Sequence, residues 1–439
     1  MDAIPRMVMA DAKGNIMDDP DLLMCCRRGN QWGLPKKDEL VPLPRESELF
    51  LLPGRRAVGF DPESGSLVET DDLAVAAFAA PAYTLAAHPV YGRDEDAPLL
   101  PLFAYGAVGY AKGRFWIAAK KVDEDPRQQF HDIKKKHLVK LASQLLAEYP
   151  KNRLLGHIIN NCANRYNCPA ARNFVLGRYE APLPTSRTCN ARCIGCISAK
   201  TEDSPLATTP QCRLAFVPNA HEIAEIMRIH ALRETKMPIF SFGQGCEGDP
   251  LANPELLAES IALFRGWQKD DSRLFGTINC NTNASSPQAV RLLADAGLTS
   301  MRVSLNSARE KLYETYYRPV NYKFADVLQS IKSAREAGIY VSLNLLFFPG
   351  VSDTEDELEA LVRLVSQNGV SMIQWRNLNI DPEWYLEIMK DVAFPSVPEG
   401  GLGLTTFMKR LKKECPWLVY GYFNPFLGDR AETSAPLPQ

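Results

Sequence analysis

Three cysteines, Cys189, Cys193 and Cys196, lie close together in the segment CNARCIGC. Thiolates at this spacing can converge on one soft metal centre, because thiolate is the preferred ligand of zinc and of the iron in iron–sulfur clusters. Structural zinc sites use four protein ligands, and their motifs come as two separated pairs. A lone triplet is better suited to a [4Fe–4S] cluster with one iron left open for a small molecule. A structural metal site is the alternative.

The spacing C-x3-C-x2-C resembles the signature of the radical S-adenosylmethionine (radical SAM) superfamily. In that superfamily the open iron chelates the amino and carboxylate groups of SAM. The usual pattern has an aromatic residue directly before the third cysteine, where this chain has Gly195. The resemblance implies that Cys189, Cys193 and Cys196 hold a [4Fe–4S] cluster and that S-adenosyl-L-methionine is the second cofactor.

The turn Gly248-Asp249-Pro250 resembles the Gly-Gly-Glu-Pro turn that follows the second barrel strand in the superfamily. Backbone groups at that strand end receive the SAM amino group there. This chain departs from the pattern, with Glu247 in the first position and Asp249 in place of glutamate. The alternative is a plain strand-to-helix turn, whose composition would look much the same.

Polar side chains on the next strands are the other candidates for binding SAM. Ser304 and Asn306 are expected to point the same way, because side chains alternate along a strand. Similar proteins use this position to hydrogen-bond the SAM carboxylate or ribose. Asn344, on the following strand, is the candidate for binding the ribose. Thr282-Asn283 and the segment from Pro349 to Asp353 also resemble superfamily turns. The alternative for Asn344 is an amide that the backbone satisfies at a strand end.

The resemblance implies a reductive reaction. The reduced cluster cleaves the carbon–sulfur bond of SAM to methionine and a 5′-deoxyadenosyl radical, which abstracts hydrogen from a substrate. The cofactor supplies the chemistry and the protein supplies orientation and exclusion of water. We expect a small-molecule or peptide substrate and an electron donor such as flavodoxin or ferredoxin. The sequence identifies neither the substrate nor a catalytic side chain.

Helices and strands alternate after the cysteine loop, which predicts βαβ units and a parallel sheet. Right-handed crossovers would curl that sheet into a partial parallel (β/α)6 TIM-like barrel, with the loops after the strands carrying the chemistry. The predicted strands cover residues 238–242, 276–281, 300–306, 340–348 and 371–378. The predicted helices cover residues 254–267, 287–296 and 324–337, with a capping box at Asn219 and Glu222 and a last helix capped by Ser352 and Glu355.

The chain divides into four predicted parts. Residues 1–125 form a small β-rich domain, 126–180 a helical connector, 181–385 the barrel and 386–439 a C-terminal extension. Hairpins are predicted around Gly14-Asn15 and across residues 111–113, and two strands are predicted to be separated by Pro53-Gly54. The N-terminal domain is either a module that binds substrate or partner, or a packing extension.

Other polar groups leave alternatives open. His157, Cys162 and Cys168 would form part of a second metal site, or two thiols buried between helices. His137 falls on the apolar face of a helix predicted from Pro126 and is expected to be packed. The side chains Gln374, Arg376, Asn377 and Asn379 would line the mouth of the barrel, with Tyr313, Tyr316 and Tyr317 forming one wall or a surface turn.

Composition limits the class of protein. The chain has 439 residues, 46% of them apolar and 23% charged, which is typical of a soluble globular protein. Its formal charge of −2 argues against a nucleic-acid partner, and no apolar run is long enough to span a membrane. Eleven cysteines without a secretory signal indicate reduced thiols and metal ligands, hence a cytoplasmic, oxygen-sensitive protein.

Two other functions compete with the radical SAM hypothesis. One is a metal-binding scaffold that holds zinc or an iron–sulfur cluster, binds a partner and does not catalyse. The other is a thiol redox protein that uses Cys162, Cys168 and Cys212, although a C-x-x-C pair is not visible.

Overall fold

The computed structural model describes residues 4–200, 205–206, 209–393 and 401–428. The N-terminal strands pair antiparallel, nine of them in one sheet and β3, β4 and β9 in a small second sheet. The strands are β1 Arg6–Ala10, β2 Ile16–Met24, β3 Cys26–Arg28, β4 Gln31–Gly33, β5 Leu40–Pro42, β6 Glu48–Asp61, β7 Ser66–Phe78, β8 Tyr83–Leu85, β9 His88–Pro89, β10 Tyr91–Arg93, β11 Val108–Ala111 and β12 Arg114–Lys121.

Both predicted hairpins form, as β1–β2 and β11–β12. The predicted break at Pro53-Gly54 is wrong, because one strand, β6, runs through both residues. The register of β6 against β7 shifts between Leu51 and Arg56, so the proline and glycine sit in a bulge. A bulge accommodates a missing amide donor and a positive φ without ending the strand.

Helices connect the two main sheets. They are α1 Lys135–Glu148 and α2 Arg153–His157, then a π-helix, Ile158–Arg165, and α3 Pro169–Leu176. The sequence predicts helix α1 from Pro126, but in the structure it begins at Lys135. The prediction that His137 is packed is also wrong, because Leu138, Ala142 and Leu145 form the buried face and His137 is exposed.

The second main sheet is parallel, and its seven strands pair in chain order. The strands are β13 Glu180–Leu183, β14 Ile239–Phe242, β15 Thr277–Thr282, β16 Ser300–Leu305, β17 Tyr340–Phe347, β18 Met372–Asn377 and β19 Val419–Gly421. The helices between them are α4 Ala220–Arg233, α5 Pro254–Asp270, α6 Pro287–Ala296, α7 Glu310–Tyr317, α8 Phe324–Glu336, α9 Glu355–Asn368, α10 Pro382–Ala393 and α11 Leu404–Glu414, with a 3-10 turn at Pro250–Ala252. A second 3-10 turn, Lys37–Glu39, precedes β5 in the N-terminal part.

The parallel sheet and the helices between its strands agree with the predicted α/β fold. The sheet has one strand, β19, more than the six of the predicted (β/α)6 barrel. The capping box of Asn219 and Glu222 at α4 is present. The predicted cap of α9 is wrong, because Thr354 caps it. The Ser352 hydroxyl instead accepts the amide of Phe348 at 2.9 Å and closes the turn before the helix.

The N-terminal sheet packs against the carboxyl end of β18. The Asn377 side chain accepts the amide of Leu85 at 2.7 Å and donates to the carbonyl of Tyr83 at 3.0 Å. The hydroxyl of Thr84 donates to the Trp375 carbonyl at 3.0 Å. Within the described ranges, no helix has the length and apolar character needed to cross a membrane.

Candidate functional site

A cavity of about 410 Å³ lies at the carboxyl ends of the parallel strands. It contains the thiols of Cys189, Cys193 and Cys196, and a wider cavity of about 980 Å³ reaches the same three thiols from the side of α7. Loops that follow neighbouring parallel strands converge at one edge of the sheet. The cysteine loop follows β13, so the topology brings it to the ends of β14 to β18.

Backbone hydrogen bonds attach the cysteine loop to the C-terminus of α7. The amide of Arg192 donates to the Tyr317 carbonyl at 2.9 Å, and the amide of Ile194 donates to the Tyr316 carbonyl at 3.1 Å. Carbonyls in the last turn of a helix have no partner within the helix. The loop satisfies these carbonyls, and α7 thereby fixes the position of the thiols.

The three thiols have the environment that a cluster requires. The amide of Ala191 donates to the Cys189 sulfur at 3.4 Å, and the Arg213 guanidinium lies 4.0 Å from the Cys196 sulfur. Burial raises the pKa of the Cys189 thiol to about 11, and burial together with the two neighbouring thiols raises the pKa of Cys193 well above its ordinary value. Iron would replace those protons, because metal binding deprotonates a coordinating thiol.

The donor set therefore fits an iron–sulfur cluster. No three His, Cys, Asp or Glu side chains in the described part of the chain converge as ligands of one metal ion. A cubane cluster needs a wider arrangement, since each cysteine binds a separate iron.

Gly195 stands where the superfamily pattern has an aromatic residue, and a ring from elsewhere in the structure occupies the space beside it. A Cβ atom on this residue would lie 2.8 Å from the hydroxyl oxygen of Tyr316. The space beside the third cysteine is therefore filled by an aromatic ring from α7. Tyr316 and Tyr317 are buried and line the cavity, so the hypothesis of a tyrosine wall is the one that the geometry favours over a surface turn.

The Gly248-Asp249 turn pairs with the segment that enters the cysteine loop. The amide of Gly248 donates to the Ser186 carbonyl at 2.8 Å, and that of Asp249 donates to the Thr188 carbonyl at 2.9 Å. A Cβ on residue 248 would lie 1.8 Å from the Thr188 oxygen, so only glycine allows this approach.

The Asp249 carboxylate faces the third strand rather than the cavity centre. It accepts the Thr282 hydroxyl and the Asn283 amide, each at 2.7 Å, and the Leu251 amide at 2.9 Å. The predicted Thr-Asn turn thus holds the carboxylate that shapes the Gly248 turn.

Glu247 joins two strand-end loops, a role the sequence analysis did not find. One carboxylate oxygen accepts the amides of Thr185 and Ser186 at 2.6 and 2.7 Å, and the other accepts those of Gly243 and Gln244, both at 2.9 Å. Burial raises the pKa of Glu247 to about 7, against the lowering effect of these amides. A carboxylate in the glycine-rich segment GQGCEG was the available signal, because such a group can reach several backbone amides.

The candidate SAM-binding side chains divide into two sets. Ser304 and Asn344 line the cavity, and the buried Oδ1 of Asn344 has no hydrogen-bond partner among the described residues, so the backbone does not satisfy this oxygen. The expectation that Asn306 shares the face of Ser304 is wrong, because β16 ends at Leu305. Asn306 is buried, and its amide donates to the Leu312 carbonyl at 3.1 Å.

Polar residues deeper in the barrel line the same cavity. Arg376, Asn377 and Asn379 do so as predicted, whereas Gln374 is fully buried beneath them.

Sequence reasoning missed Glu180, Arg302 and Asn424, which also line the cavity. Arg302 could have been found, because it precedes Ser304 by two residues and so shares its face.

The cysteines of the alternative hypotheses, Cys162, Cys168 and Cys212, do not line the cavity that contains the triplet. Cys162, in the π-helix, hydrogen-bonds Cys246, and this contact together with burial raises the pKa of Cys246. His157 pairs with the Asn161 side chain at 2.9 Å, and Cys212 is exposed. The structure thus brings Cys162 to Cys246 and places Cys212 at the surface.

Comparison with known proteins gives one family match. Residues 183–365 match the model of the radical SAM superfamily. No curated protein matches the chain. Among solved structures, native anSMEcpe with bound AdoMet has 14% identity and a TM-score of 0.36, over 46% of this chain and 52% of that protein, so the match spans about half of its length.

Two further structures have similar values. The FeFe-hydrogenase maturase HydG from Carboxydothermus hydrogenoformans has 15% identity and a TM-score of 0.36, over 65% of this chain and 70% of that one. A radical SAM methyltransferase from Sphaerobacter thermophilus has 15% identity and a TM-score of 0.35, over 54% and 62%. The match to the family model covers 183 of the 439 residues, from 183 to 365.

Proposed function

We propose, from the match of residues 183–365 to the radical SAM superfamily model, that the chain is an enzyme that cleaves S-adenosylmethionine reductively at a [4Fe–4S] cluster and thereby starts hydrogen abstraction from a substrate. One observation carries the proposal: a single cavity contains the three thiols of the cysteine loop, the Gly248-Asp249 turn and the side chains of Ser304 and Asn344.

Cys189, Cys193 and Cys196 are the proposed ligands of three irons. A bound cluster would supply the electron that breaks the carbon–sulfur bond of SAM. The chain's own contribution is to hold the sulfurs. The Ala191 amide and the Arg213 guanidinium contact them and stabilise their negative charge, which is one of the ways a protein tunes a cluster potential.

The proposed SAM site lies beside the cluster ligands. Gly248 and Asp249, followed by Pro250, present backbone at the end of β14 for the SAM amino group, and Ser304 and Asn344 supply polar side chains for its carboxylate or ribose. Asn306 acts behind this surface, since its bond to Leu312 supports α7. The buried tyrosines of α7 exclude water from that side.

A small-molecule or peptide substrate and an electron donor such as flavodoxin or ferredoxin complete the proposal. All eleven cysteines are free thiols, which favours a reducing compartment such as the cytoplasm. For domain organisation we propose a β-rich unit over 1–125, a connector over 126–180, a partial barrel over 181–385 and an extension over 386–439, from which β19 joins the parallel sheet.

Iron content and SAM cleavage test the function. Anaerobically purified protein should contain about four irons per chain and cleave SAM when treated with dithionite. The triple variant Cys189→Ala, Cys193→Ala, Cys196→Ala should lose both properties, because the described part of the chain offers no other ligand set that could replace three thiolates.

The control is Cys212→Ala, whose side chain is exposed. It should keep its iron and its SAM cleavage. Full iron retention in the triple variant, or stoichiometric zinc in place of iron in the wild type, would contradict the proposal and favour a non-catalytic metal scaffold.

A further inference from the structure

Two arginines lie on the inner face of the parallel sheet. Arg302 is on β16, on the same face as Ser304, and Arg376 is at the carboxyl end of β18. Both line the cavity that contains the three thiols. The strand β17 separates them in the sheet, and the only residues it contributes to the cavity lining are Asn344 and Leu346. Two cations therefore face one cavity with no acidic side chain between them.

Hydrogen bonds within the chain use only some of the N–H donors of each guanidinium. Arg302 donates from Nη1 to the Gln374 Oε1 at 3.2 Å, and its buried Nε has no hydrogen-bond partner in the described part of the chain. Arg376 donates from Nη1 to the Tyr422 carbonyl at 3.0 Å, and its guanidinium stacks 3.9 Å from the centroid of the Tyr422 ring. Guanidinium has five N–H donors, so most of them remain available.

The neighbouring amides hold this arrangement in place. Gln374 donates from Nε2 to the Asn424 Oδ1 at 3.0 Å, which directs its own oxygen toward Arg302. The Asn424 amide in turn donates to Glu180 at 2.8 Å and to the Ser241 hydroxyl at 3.2 Å. Arg302 is thus positioned before any ligand binds, which lowers the entropy lost on binding.

Glu180 is the acidic group that faces this end of the cavity. One of its oxygens accepts from Asn424, and the other lies 3.9 Å from Nη1 of Arg127. Arg127 pairs more closely with Asp125, at 2.6 Å, so it neutralises Glu180 only in part, and the charge of Glu180 also acts on Arg302. Among the described residues, no carboxylate lies within 4.0 Å of the guanidinium nitrogens of Arg302 or Arg376. Burial and the nearby Arg376 lower the pKa of Arg302 to about 10, which leaves it protonated at neutral pH.

We propose that Arg302 and Arg376 bind an oxyanion of the substrate, either a carboxylate or a phosphate. Guanidinium matches both groups through paired, charge-assisted hydrogen bonds. The buried Nε of Arg302 then acquires the acceptor that it lacks. This inference rests on the proposed function, because it takes the substrate to enter the cavity that holds SAM.

The test uses anions as probes of the holoprotein. Inorganic phosphate, succinate and neutral succinamide are titrated calorimetrically into anaerobic, cluster-containing protein that is saturated with SAM and lacks reductant. We expect phosphate or succinate to bind and succinamide not to bind. The tighter of the two anions indicates whether the substrate group is a phosphate or a carboxylate.

Two variants locate the binding. Arg376→Gln and Arg302→Gln should each weaken anion binding at least tenfold, since each removes a charged hydrogen bond. Arg302 and Arg376 are both half-buried, so each variant is expected to fold, and either one alone tests the site. Arg273→Gln is the matched control, because Arg273 is exposed and pairs with Asp271 outside the cavity.

The affinity for SAM is measured in the same variants and should be unchanged. Loss of SAM affinity together with anion affinity would overturn the inference, because the arginines would then serve the SAM carboxylate. Equal anion affinity in wild type and variants, or no anion binding to the wild type, would also overturn it. None of these measurements requires SAM cleavage, so a failure here is distinct from a failure of the proposed function.

Discussion

At residue 248 the backbone of one strand-end loop approaches the segment that leads into the cysteine loop. Because a Cβ would lie 1.8 Å from the Thr188 oxygen, Gly248→Ala should push the two loops apart. We expect this variant to lose most of its iron and to be destabilised by about 1–3 kcal/mol, as for other overpacked sites. Iron analysis and urea unfolding measure the two effects.

Gly266→Ala is the control for this substitution. Gly266 lies within α5, and a Cβ there meets no atom within 4 Å. Replacing a helical glycine by alanine stabilises by about 0.5–1 kcal/mol. If Gly248→Ala retained full iron and wild-type stability, the close approach of the two loops would be incorrect.

Asn344 and Ser304 allow a second prediction for single residues. Each alanine variant should weaken SAM binding about 5- to 100-fold, which corresponds to the loss of one hydrogen bond of about 1–3 kcal/mol to a polar or charged group. The cluster should stay intact, because neither side chain contacts a cysteine sulfur in the hydrogen bonds described. Equilibrium binding of SAM to cluster-loaded protein provides the measurement.

Asn368→Ala is the matched control, since Asn368 lies at the end of α9 and donates to the Leu364 carbonyl, away from the cavity. Unchanged SAM affinity in both Ser304→Ala and Asn344→Ala would show that SAM does not occupy the inner face of β16 and β17.

At the scale of the elements, the Glu247 side chain connects the loop after β13 to the loop after β14. Its folded-state pKa, about 7, lies above its ordinary value of 4.5. The stability that the protonated group contributes is therefore fully present below pH 4.5 and is lost as the pH rises through about 7. Over that interval the free energy of unfolding of the apoprotein should fall by up to about 1.4 kcal/mol per pH unit from this group.

Glu247→Gln removes this pH dependence and places an amide nitrogen against two backbone donors. The variant should be less stable than wild type by about 1–3 kcal/mol at pH 7, and its deficit should be larger at pH 5. Urea unfolding at the two pH values measures both effects. The exposed Glu259→Gln on α5 should behave like wild type. An equal deficit at both pH values would show that the pKa of Glu247 is not raised.

Elements with a local signal could be predicted from the sequence. Helix α6 begins and ends where its proline and glycine predict, at Pro287 and Ala296, and the capping box of α4 is encoded by two residues. Elements set by tertiary contacts could not. The strand β19 has three residues, and only its pairing with β18 defines it. Strand β6 passes through a proline-glycine pair because β7 pairs with it on both sides of the bulge and β10 pairs with it after the bulge.

The same division holds for the candidate site. The cysteine triplet and the Gly248 turn carry short motifs, so the sequence indicates them. Arg302, Glu180 and Asn424 lie on three different elements, and only the closure of the sheet brings them together. A residue such as Asn424, which follows β19, has no local feature that indicates its contact with Gln374.

On the scale of the whole molecule, a buried ion pair joins the N-terminal sheet to the loop after β18. Arg55, on β6, donates from Nη2 to Asp381 at 2.9 Å, and both side chains are inaccessible to solvent, at 0% and 1% exposure. The same carboxylate accepts the amide of Leu100 at 2.9 Å. These contacts make the N-terminal sheet a structural support of the parallel sheet, whether or not it also binds a partner.

Asp381→Asn would leave the Arg55 charge buried without a counterion. Breaking one partner of a buried pair costs about 3–5 kcal/mol, so the variant should be destabilised by that amount. The loss of stability should be greatest at the contact between the two sheets. Hydrogen exchange is the appropriate measurement, because it reports β1–β12 and β13–β19 separately. In the wild type both sets should exchange through the same global unfolding, whereas in the variant the N-terminal strands should exchange faster than the parallel ones.

Asp18→Asn is the matched control, because Asp18 pairs with Arg6 at the surface, where the side chains are 28% and 53% exposed. Exposed pairs contribute about 0–1 kcal/mol, so this variant should show wild-type exchange in both sheets. If Asp381→Asn left the exchange of the N-terminal strands unchanged, the ion pair would not couple the two sheets. If it accelerated both sheets equally, they would unfold as one cooperative unit even without the pair, and the hydrogen bonds of Thr84 and Asn377 would be enough to hold them together.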